Sequence, residues 1–441
     1  MIAMKKNIVF IVGMYKPFAG PVGICMDNIL QCLTDDMSVS VICGIRKHGD
    51  SDHASIGGVE IHRIASRQNR LRSLCLAKSY GSSRWISKSL WKLGFQSIRV
   101  MDFISILFSR NSAKMGLVQS YEKALESLPI KPDLLVPACM PFEAVLAANA
   151  YCQSHQNVQY VPFLFDKFAD NKALNRLKIN MSIKKRCNQR LEKKVLNADS
   201  CPMFVYVESW KTYLERDLKI PLTKGRLIEH PLLINRTDLT LCKRKATSVI
   251  KYVYTGALTV AARNPACVLD VFTRVLDRQP YATLDIYGSG DAIQMVRSAA
   301  KASKGAICYR GFVGSDEVSK VISEADILLS VGNSDITQMP SKIFEYMSYG
   351  KPIIHIAKSP NDPVLEILEK YPLSLCLVES EGSQADKVNQ IIRFADSCKS
   401  KVVSFDDVVK CFPRALPEYS ADLLRSLVLG VGGTENLEVG K

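Results

Sequence analysis

The chain has 441 residues, 47% of them hydrophobic, and a mean hydropathy of +0.03, so it reads as a soluble globular protein long enough for two ordinary domains. No apolar run approaches the length of a membrane-spanning helix. The fourteen cysteines form no C-x-x-C pair, which argues against a disulfide framework or zinc site and for free thiols in a reducing cytosol. A formal charge of +15 favours a polyanionic partner, whether nucleic acid, an anionic lipid surface or a phosphorylated substrate.

The opening MIAMKKNIVFIVGMY has the outline of a signal peptide but lacks a small-residue cleavage site. It continues into a strand over 7–13, a loop with Gly20, Pro21 and Gly23, and a helix from about 24 to 33. Strand, Gly loop and helix in that order begin a parallel α/β domain. Further strands are predicted at 39–43 and 59–64. Between 67 and 114 the character changes, with ten Lys or Arg against one acid, Asp102. Arg84, Lys88 and Lys92 share one helical face, Ile86, Leu90 and Leu93 the opposite one, and Trp85 and Trp91 flank the boundary. Such a basic amphipathic helix either lies on an anionic membrane surface or docks its apolar face on the core.

A strand over 133–137 and a helix over 141–152 come next, followed by a strand over 158–165 that carries Asp166 at its C-terminal end. Ligands bind at that edge of doubly wound sheets, so Asp166 is a candidate to orient an acceptor hydroxyl or take its proton. An N-cap or an ion pair with Lys167 are the alternatives. A second basic block, 167–194, has ten Lys or Arg against Asp170 and Glu192. Leu174, Leu177, Met181, Cys187, Leu191 and Val195 are its expected apolar face, and the other face is strongly cationic. A strand near 201–207 and the EHPLL run at 229–233 close the first domain, and the polar stretch within 235–248 reads as a linker.

Beyond it, strands at 250–254, 282–287, 306–309 and 327–331 alternate with helices at 264–276 and from about 316, the pattern of a second parallel sheet. LDIYGSGD (284–291) is a strand followed by Gly-x-Gly, read as a tight turn and no more. MPSKIFEYMSYGKPII (339–354) predicts a helix with Pro340 in its first turn, Ile343, Phe344 and Met347 on a buried face, and Gly350 as a left-handed stop. A buried strand over 352–356 should follow. A helix N-terminus is a ready anion site, to which Lys342 adds a full charge beside Ser341. Glu345 suits the two hydroxyls of a ribose. An amphipathic helix with a polar first turn is the plainer alternative. Two short helices, 405–411 and 417–429, precede a Gly-rich tail from 430 that is expected to be disordered.

PSKIFEYMSYGKPII resembles the donor-binding signature of the retaining GT-B glycosyltransferases of family 4, and YTGALTVAARNP (254–265) resembles that family's G-x-L…R-N-P loop. The resemblance implies that Glu345 holds a nucleotide ribose and that the Arg263 fork grips the donor diphosphate. It also implies that backbone near Phe312 and Val313 meets the nucleobase, and that Gly20 and Gly23 let the chain approach donor phosphate or acceptor. Two departures stand out: Thr337 occupies the place of the usual upstream Glu, and DLLVPACMPFEA (133–144) carries Cys139 and Pro141 but no cleft histidine.

The fold class so implied is α/β, a GT-B fold of two facing Rossmann-like domains with a C-terminal helix crossing back to the first. Its expected parts are an acceptor-side domain over 1–236 with a basic helical insertion at 67–115, a linker at 237–248, a nucleotide-sugar domain at 249–414, and a crossing helix and tail at 415–441. The expected activity is metal-independent transfer, with retention, of a sugar from a nucleoside-diphosphate donor to a hydroxyl acceptor. Asp166, Arg263 and Lys342 are its catalytic candidates, and Gly20, Arg263, Phe312, Val313, Ser341, Lys342 and Glu345 bind the donor. No cofactor, metal or nucleic acid is expected. The acceptor reading is a lipid-linked saccharide in surface polysaccharide or lipopolysaccharide assembly. Segments 67–114 and 167–194 would meet an anionic membrane surface, and the location would be cytoplasmic, peripheral on the inner face of the cell membrane. A catalytically silent scaffold and a nucleotide-sugar 2-epimerase are the alternatives.

Overall fold

The computed structural model describes residues 5–17, 19–45, 47–81, 83–169, 178–241, 249–335, 339–398 and 401–430. The chain divides into two compact units, Met1–Pro231 with Pro417–Lys441, and Leu232–Leu416. Thr337, the helix-face residues Leu174, Leu177 and Met181, and the tail beyond 430 fall outside the described residues or side chains.

The first unit opens with β1 (Asn7–Ile11), α1 (Pro21–Gln31), β2 (Ser38–Gly44), β3 (His53–Ile56) and β4 (Val59–Ile64). Then come α2 (Arg67–Gly81), α3 (Trp85–Phe108), α4 (Met115–Glu126), β5 (Leu134–Pro137), α5 (Glu143–Ser154) and β6 (Gln159–Tyr160). These strands form one sheet in the order β3-β4-β2-β1-β5-β6, parallel except for the β3–β4 pair. A second sheet of three parallel strands contains β7 (Phe163–Leu164), β8 (Phe204–Val207) and β9 (Gly225–Ile228), with α6 (Lys178–Leu196) and α7 (Glu208–Thr212) between them.

The predicted continuous strand over 158–165 is therefore two strands in two sheets. Pro162 separates them: it has no N–H for a ladder, and its carbonyl accepts instead from Val205 N at 2.9 Å.

Helix α6 departs from its predicted amphipathicity. Lys184, Asn188 and Glu192 are buried, and of the expected apolar face Val195 is buried while Cys187 and Leu191 are half-exposed. The inward face is thus a polar ladder at four-residue spacing. Lys184 donates to Ser109 Oγ at 3.1 Å, Asn188 accepts from Ser112 N at 3.0 Å, and Glu192 accepts from Phe168 N and Ala169 N at 3.0 and 3.2 Å. On helix α3, Ile86, Leu90 and Leu93 are exposed, so of its two expected readings the one that docks this face on the core does not hold.

The second unit contains α8 (Thr237–Leu241), β10 (Ile250–Thr255), α9 (Ala266–Arg278), β11 (Ala282–Tyr287), α10 (Ile293–Ala302), β12 (Ile307–Gly311) and α11 (Ser315–Glu324). It continues with β13 (Ile327–Val331), α12 (Lys342–Met347), β14 (Ile353–Ala357), α13 (Pro363–Glu369), β15 (Ser374–Val378), α14 (Gln384–Cys398) and α15 (Phe405–Cys411). All six strands run parallel in the order β12-β11-β10-β13-β14-β15. Alternation along each strand feeds two cores. Tyr252, Leu284 and Leu329 face α9, α10 and α14, while Val253, Leu328 and Ile353 face α11, α12, α13 and α15. A sheet buried on both faces needs such unbroken apolar strands.

The stretch read as a linker begins inside this unit. Ile234 N donates to Ser348 Oγ at 3.0 Å and Arg236 Nη1 to the Tyr349 hydroxyl at 2.8 Å, and Thr237–Leu241 is helical. Residues 242–248 lie outside those described. The last helix, α16 (Pro417–Leu429), belongs to the first unit, where Arg425 Nε reaches Asp36 Oδ2 at 2.7 Å.

Candidate functional site

In the six-stranded sheet of the second unit, strand order reverses direction between β10 and β13. The loops leaving those two strands diverge there, and the crevice at such a reversal is where open α/β sheets bind ligands. The neighbouring loops are zipped together through backbone: Gly256 N to Tyr287 O at 2.9 Å, Leu258 N to Ser289 O at 2.9 Å, and Gly288 N to Gly311 O at 2.8 Å. A Cβ on Gly288 would lie 1.8 Å from Gly256 O, and one on Gly290 1.9 Å from Leu258 O. The Gly-x-Gly read as a turn is therefore an enforced close approach of two backbones.

The β10 loop carries Arg263. Thr259 Oγ1 accepts from Ala262 N and Arg263 N, both at 3.3 Å, and Asp291 Oδ1 accepts from Val260 N at 2.8 Å. Ser334, from the β13 loop, donates to Ala262 O through N at 2.8 Å and through Oγ at 3.1 Å. Lys358, just past β14, donates to Asn264 O and pairs with Glu379. Asn264 Oδ1 then accepts from Ala266 N at 3.0 Å and starts α9. The half-buried Arg263 lies beside the Tyr254 hydroxyl, whose pKa burial pushes up to about 12 against the pull of the guanidinium. Sequence reading found Arg263 but none of its anchors, because Asp291, Ser334 and Lys358 come from other strands and match no spacing rule.

Helix α12 carries Ser341, Lys342 and Glu345 but is shorter than predicted. Only Lys342–Met347 is α-helical, and the turn before it is tighter, with Ile343 N reaching Pro340 O and Phe344 N reaching Ser341 O at 3.2 Å. Ser341 makes no side-chain cap. Six residues sum to a small dipole, so the positive charge here is that of Lys342 itself. Lys342 Nζ sits 3.1 Å from Glu345 Oε2. Ile343, Phe344 and Met347 are buried as predicted, and the Tyr346 hydroxyl accepts from Thr255 N at 3.0 Å, tying α12 to the end of β10. Gly350 has φ +64°, and a Cβ there would lie 2.3 Å from Val403 O. Phe312, 78% exposed, and Val313 follow Gly311 at the outer strand β12. Arg263, Ser341, Lys342, Glu345, Phe312 and Val313 therefore all belong to the C-terminal edge of one sheet.

Gly20 and Asp166 belong to the other unit. Gly20 precedes α1 and accepts from Ile24 N at 2.9 Å. A Cβ on it would meet only the flexible end of Met14, whereas one on Gly23 would lie 2.2 Å from Met14 O. Asp166 follows β7 and is half-buried, and burial holds its pKa above the ordinary carboxylate value. It caps no described helix. Lys167 lies instead over the Tyr213 ring at 5.0 Å. Phe165 N and Asp166 N both donate to Cys139 Sγ, at 3.1 and 3.3 Å, so Cys139 shapes this loop. Glu192, counted in the sequence as one acid on a cationic helix, accepts from Phe168 N and Ala169 N further along the loop and from the Tyr213 hydroxyl. His230, past β9, stacks on Phe165 at 5.5 Å and is lowered to about 4 by burial.

No described helix is long and apolar enough to cross a membrane. No curated protein sequence matches the chain. Among solved structures it is similar to a sucrose-phosphate synthase from Thermosynechococcus elongatus (11% identity, TM-score 0.58, 97% of this chain and 100% of that one). It is similar to WaaG, a glycosyltransferase involved in lipopolysaccharide biosynthesis (12%, 0.55, 97% and 100%). It is also similar to trehalose-6-phosphate from E. coli bound with UDP-2-fluoro glucose (10%, 0.55, 97% and 100%). These likenesses cover the whole architecture, so the predicted fold class holds: two α/β units with parallel sheets, as in the GT-B glycosyltransferases. Residues 250–393, which hold the Arg263 loop and α12, match the model of the family described as Glycosyl transferases group 1.

Proposed function

We propose that the chain transfers a sugar from a nucleoside-diphosphate donor to a hydroxyl of a saccharide acceptor, with retention at the anomeric carbon and without a metal. One observation carries the reading: Arg263 stands on a loop anchored by Asp291, Ser334 and Lys358, at the reversal point of the sheet that also bears Lys342 and Glu345. In the reaction the bond from the anomeric carbon to the diphosphate oxygen breaks, its electron pair leaves with the diphosphate, and the acceptor oxygen bonds to that carbon. The Arg263 fork and the Lys342 ammonium stabilise the charge that develops on the leaving group. Glu345 accepts from the ribose hydroxyls, Ser341 adds a donor to the phosphates, and the chain at Phe312 and Val313 meets the base. The Gly20 loop admits phosphate or acceptor to close approach. Asp166 orients the acceptor hydroxyl and takes its proton, a role suited to a carboxyl whose pKa burial has raised.

The acceptor in this reading is a lipid-linked saccharide of surface polysaccharide assembly, met at the inner face of the cell membrane, with the cationic segments 67–114 and 167–194 facing anionic lipid. The lipopolysaccharide role of WaaG is that protein's own and serves as a guide to acceptors worth testing. Purified protein is incubated with a panel of uridine, guanosine and adenosine diphosphate sugars, and release of nucleoside diphosphate is measured. Turnover of one donor, reduced about 100- to 1,000-fold in Arg263→Ala, is expected. A chain that releases nothing from any donor is the silent scaffold, and one that interconverts the sugar at C2 is the epimerase.

A further inference from the structure

The charge of segment 67–114 accounts for attraction to an anionic surface, and the structure adds what the segment does on arrival. Helix α3 runs for 24 residues, about 36 Å, yet buries only Ile98. Ile86, Leu90, Leu93, Val100, Met101, Ile104 and Phe108 succeed one another at helical spacing on a single face, and every one is exposed, Leu90 to 63% and Phe108 to 82%. Trp85 (75% exposed) and Tyr80, on α2 just across the turn, stand at one end of this stripe. Lys88, Lys92 and Arg99 occupy the far face of the helix, and the one acid, Asp102, lies 3.8 Å from Lys114. Among the described residues nothing covers the stripe.

The geometry points to α3 as an interfacial anchor that lies in the plane of an anionic bilayer, with its apolar stripe among the acyl chains and its lysines and arginine at the headgroups. Charge complementarity selects this occupant. A second copy would set one segment of ten Lys or Arg and a single acid against another like it, whereas an anionic lipid surface offers a continuous apolar floor bordered by phosphates. Aromatic residues at the end of the stripe suit the boundary between headgroup and hydrocarbon. The inference rests on the membrane-surface part of the proposed function and deepens it from adsorption to insertion.

The test floats the full chain with phosphatidylcholine vesicles containing or lacking phosphatidylglycerol, at low and high salt. Trp85 fluorescence is followed with brominated acyl chains as the difference between Trp91→Phe and Trp85→Phe/Trp91→Phe chains, the second of which keeps only the buried Trp210. The expected result is flotation with anionic vesicles that high salt only partly reverses, and quenching of Trp85. The double variant Leu90→Glu/Leu93→Glu changes only exposed positions and should partition about tenfold less or weaker still. Its circular dichroism and donor turnover in solution should be unchanged. Binding that salt wholly reverses and that ignores the stripe overturns insertion while leaving surface adsorption standing. Failure to float at all removes both, and dimerisation abolished by Leu90→Glu replaces the lipid with a second copy. Glycosyl transfer is read separately, from donor turnover.

Discussion

Lys342 Nζ and Glu345 Oε2 lie 3.1 Å apart on the first turn of α12, so the two residues assigned to phosphate and to ribose hold each other. Both are partly exposed, and an ion pair of that kind contributes at most about 1 kcal/mol. A diphosphate therefore displaces the carboxylate from the ammonium at little cost and frees its oxygens for hydroxyls. Glu345→Gln should raise the donor KM about tenfold with little loss of kcat. Lys342→Ala should lower kcat about 100-fold, and neither should move Tm appreciably. Equal and small effects of both on KM alone would assign the pair to helix stability.

Lys358 is given no donor contact in the proposed reaction. It holds Asn264 O, one residue beyond Arg263, and Glu379. Lys358→Met should lower kcat about tenfold by loosening the Arg263 loop. In an Arg263→Ala background the same change should cost almost nothing further, a non-additivity read by a double-mutant cycle. A purely structural lysine would instead give independent losses.

Glu192 is fully buried and takes hydrogen bonds from Phe168 N, Ala169 N and the Tyr213 hydroxyl. Glu192→Ala leaves three buried donors without an acceptor, and a denaturant midpoint shift equivalent to about 3 kcal/mol or more is expected. Glu192→Gln keeps one carbonyl oxygen and should recover part of this loss. Asp166 lies two residues before Phe168 on the same loop, so acceptor KM should rise in both variants while donor KM stays constant.

His230 is buried, and its pKa falls from 6.5 to about 4. The folded state therefore stays neutral where the unfolded chain already takes up a proton. Its contribution is complete above pH 6.5 and declines as pH falls toward 4, by up to about 3 kcal/mol. The difference in stability between the wild type and His230→Gln, measured across that window, should vary with pH accordingly. Asp166, raised by burial, has the opposite sign: its ionised form is disfavoured in the fold, so Asp166→Asn should gain stability at neutral pH while losing turnover.

How much of this was legible follows from the range of each interaction. The buried strands of the second unit and the inward face of α12 were readable, because a strand covered on both sides must be apolar throughout and a helix must repeat its apolar positions every three to four residues. Arg263, Lys342 and Glu345 stood out through local patterns that survive in one dimension. Periodicity was silent where burial and polarity part company. Helix α6 turns Lys184, Asn188 and Glu192 inward because Ser109, Ser112 and the Phe168–Ala169 backbone wait there with matching partners. Helix α3 leaves its apolar face in the open.

By itself the sequence determined that there are two units built on parallel strands, and it located several of those strands and the residue types gathered at the end of β10 and in α12, since these depend on neighbours within a few residues. Only the tertiary structure decided that Lys358, Asp291 and Ser334 hold the Arg263 loop, that Lys342 rests against Glu345, and that strand 158–165 parts into two sheets at Pro162. Those outcomes depend on atoms brought together from distant segments, and hydrogen bonds and ion pairs act only over a few ångströms of space, however far apart their partners lie along the chain.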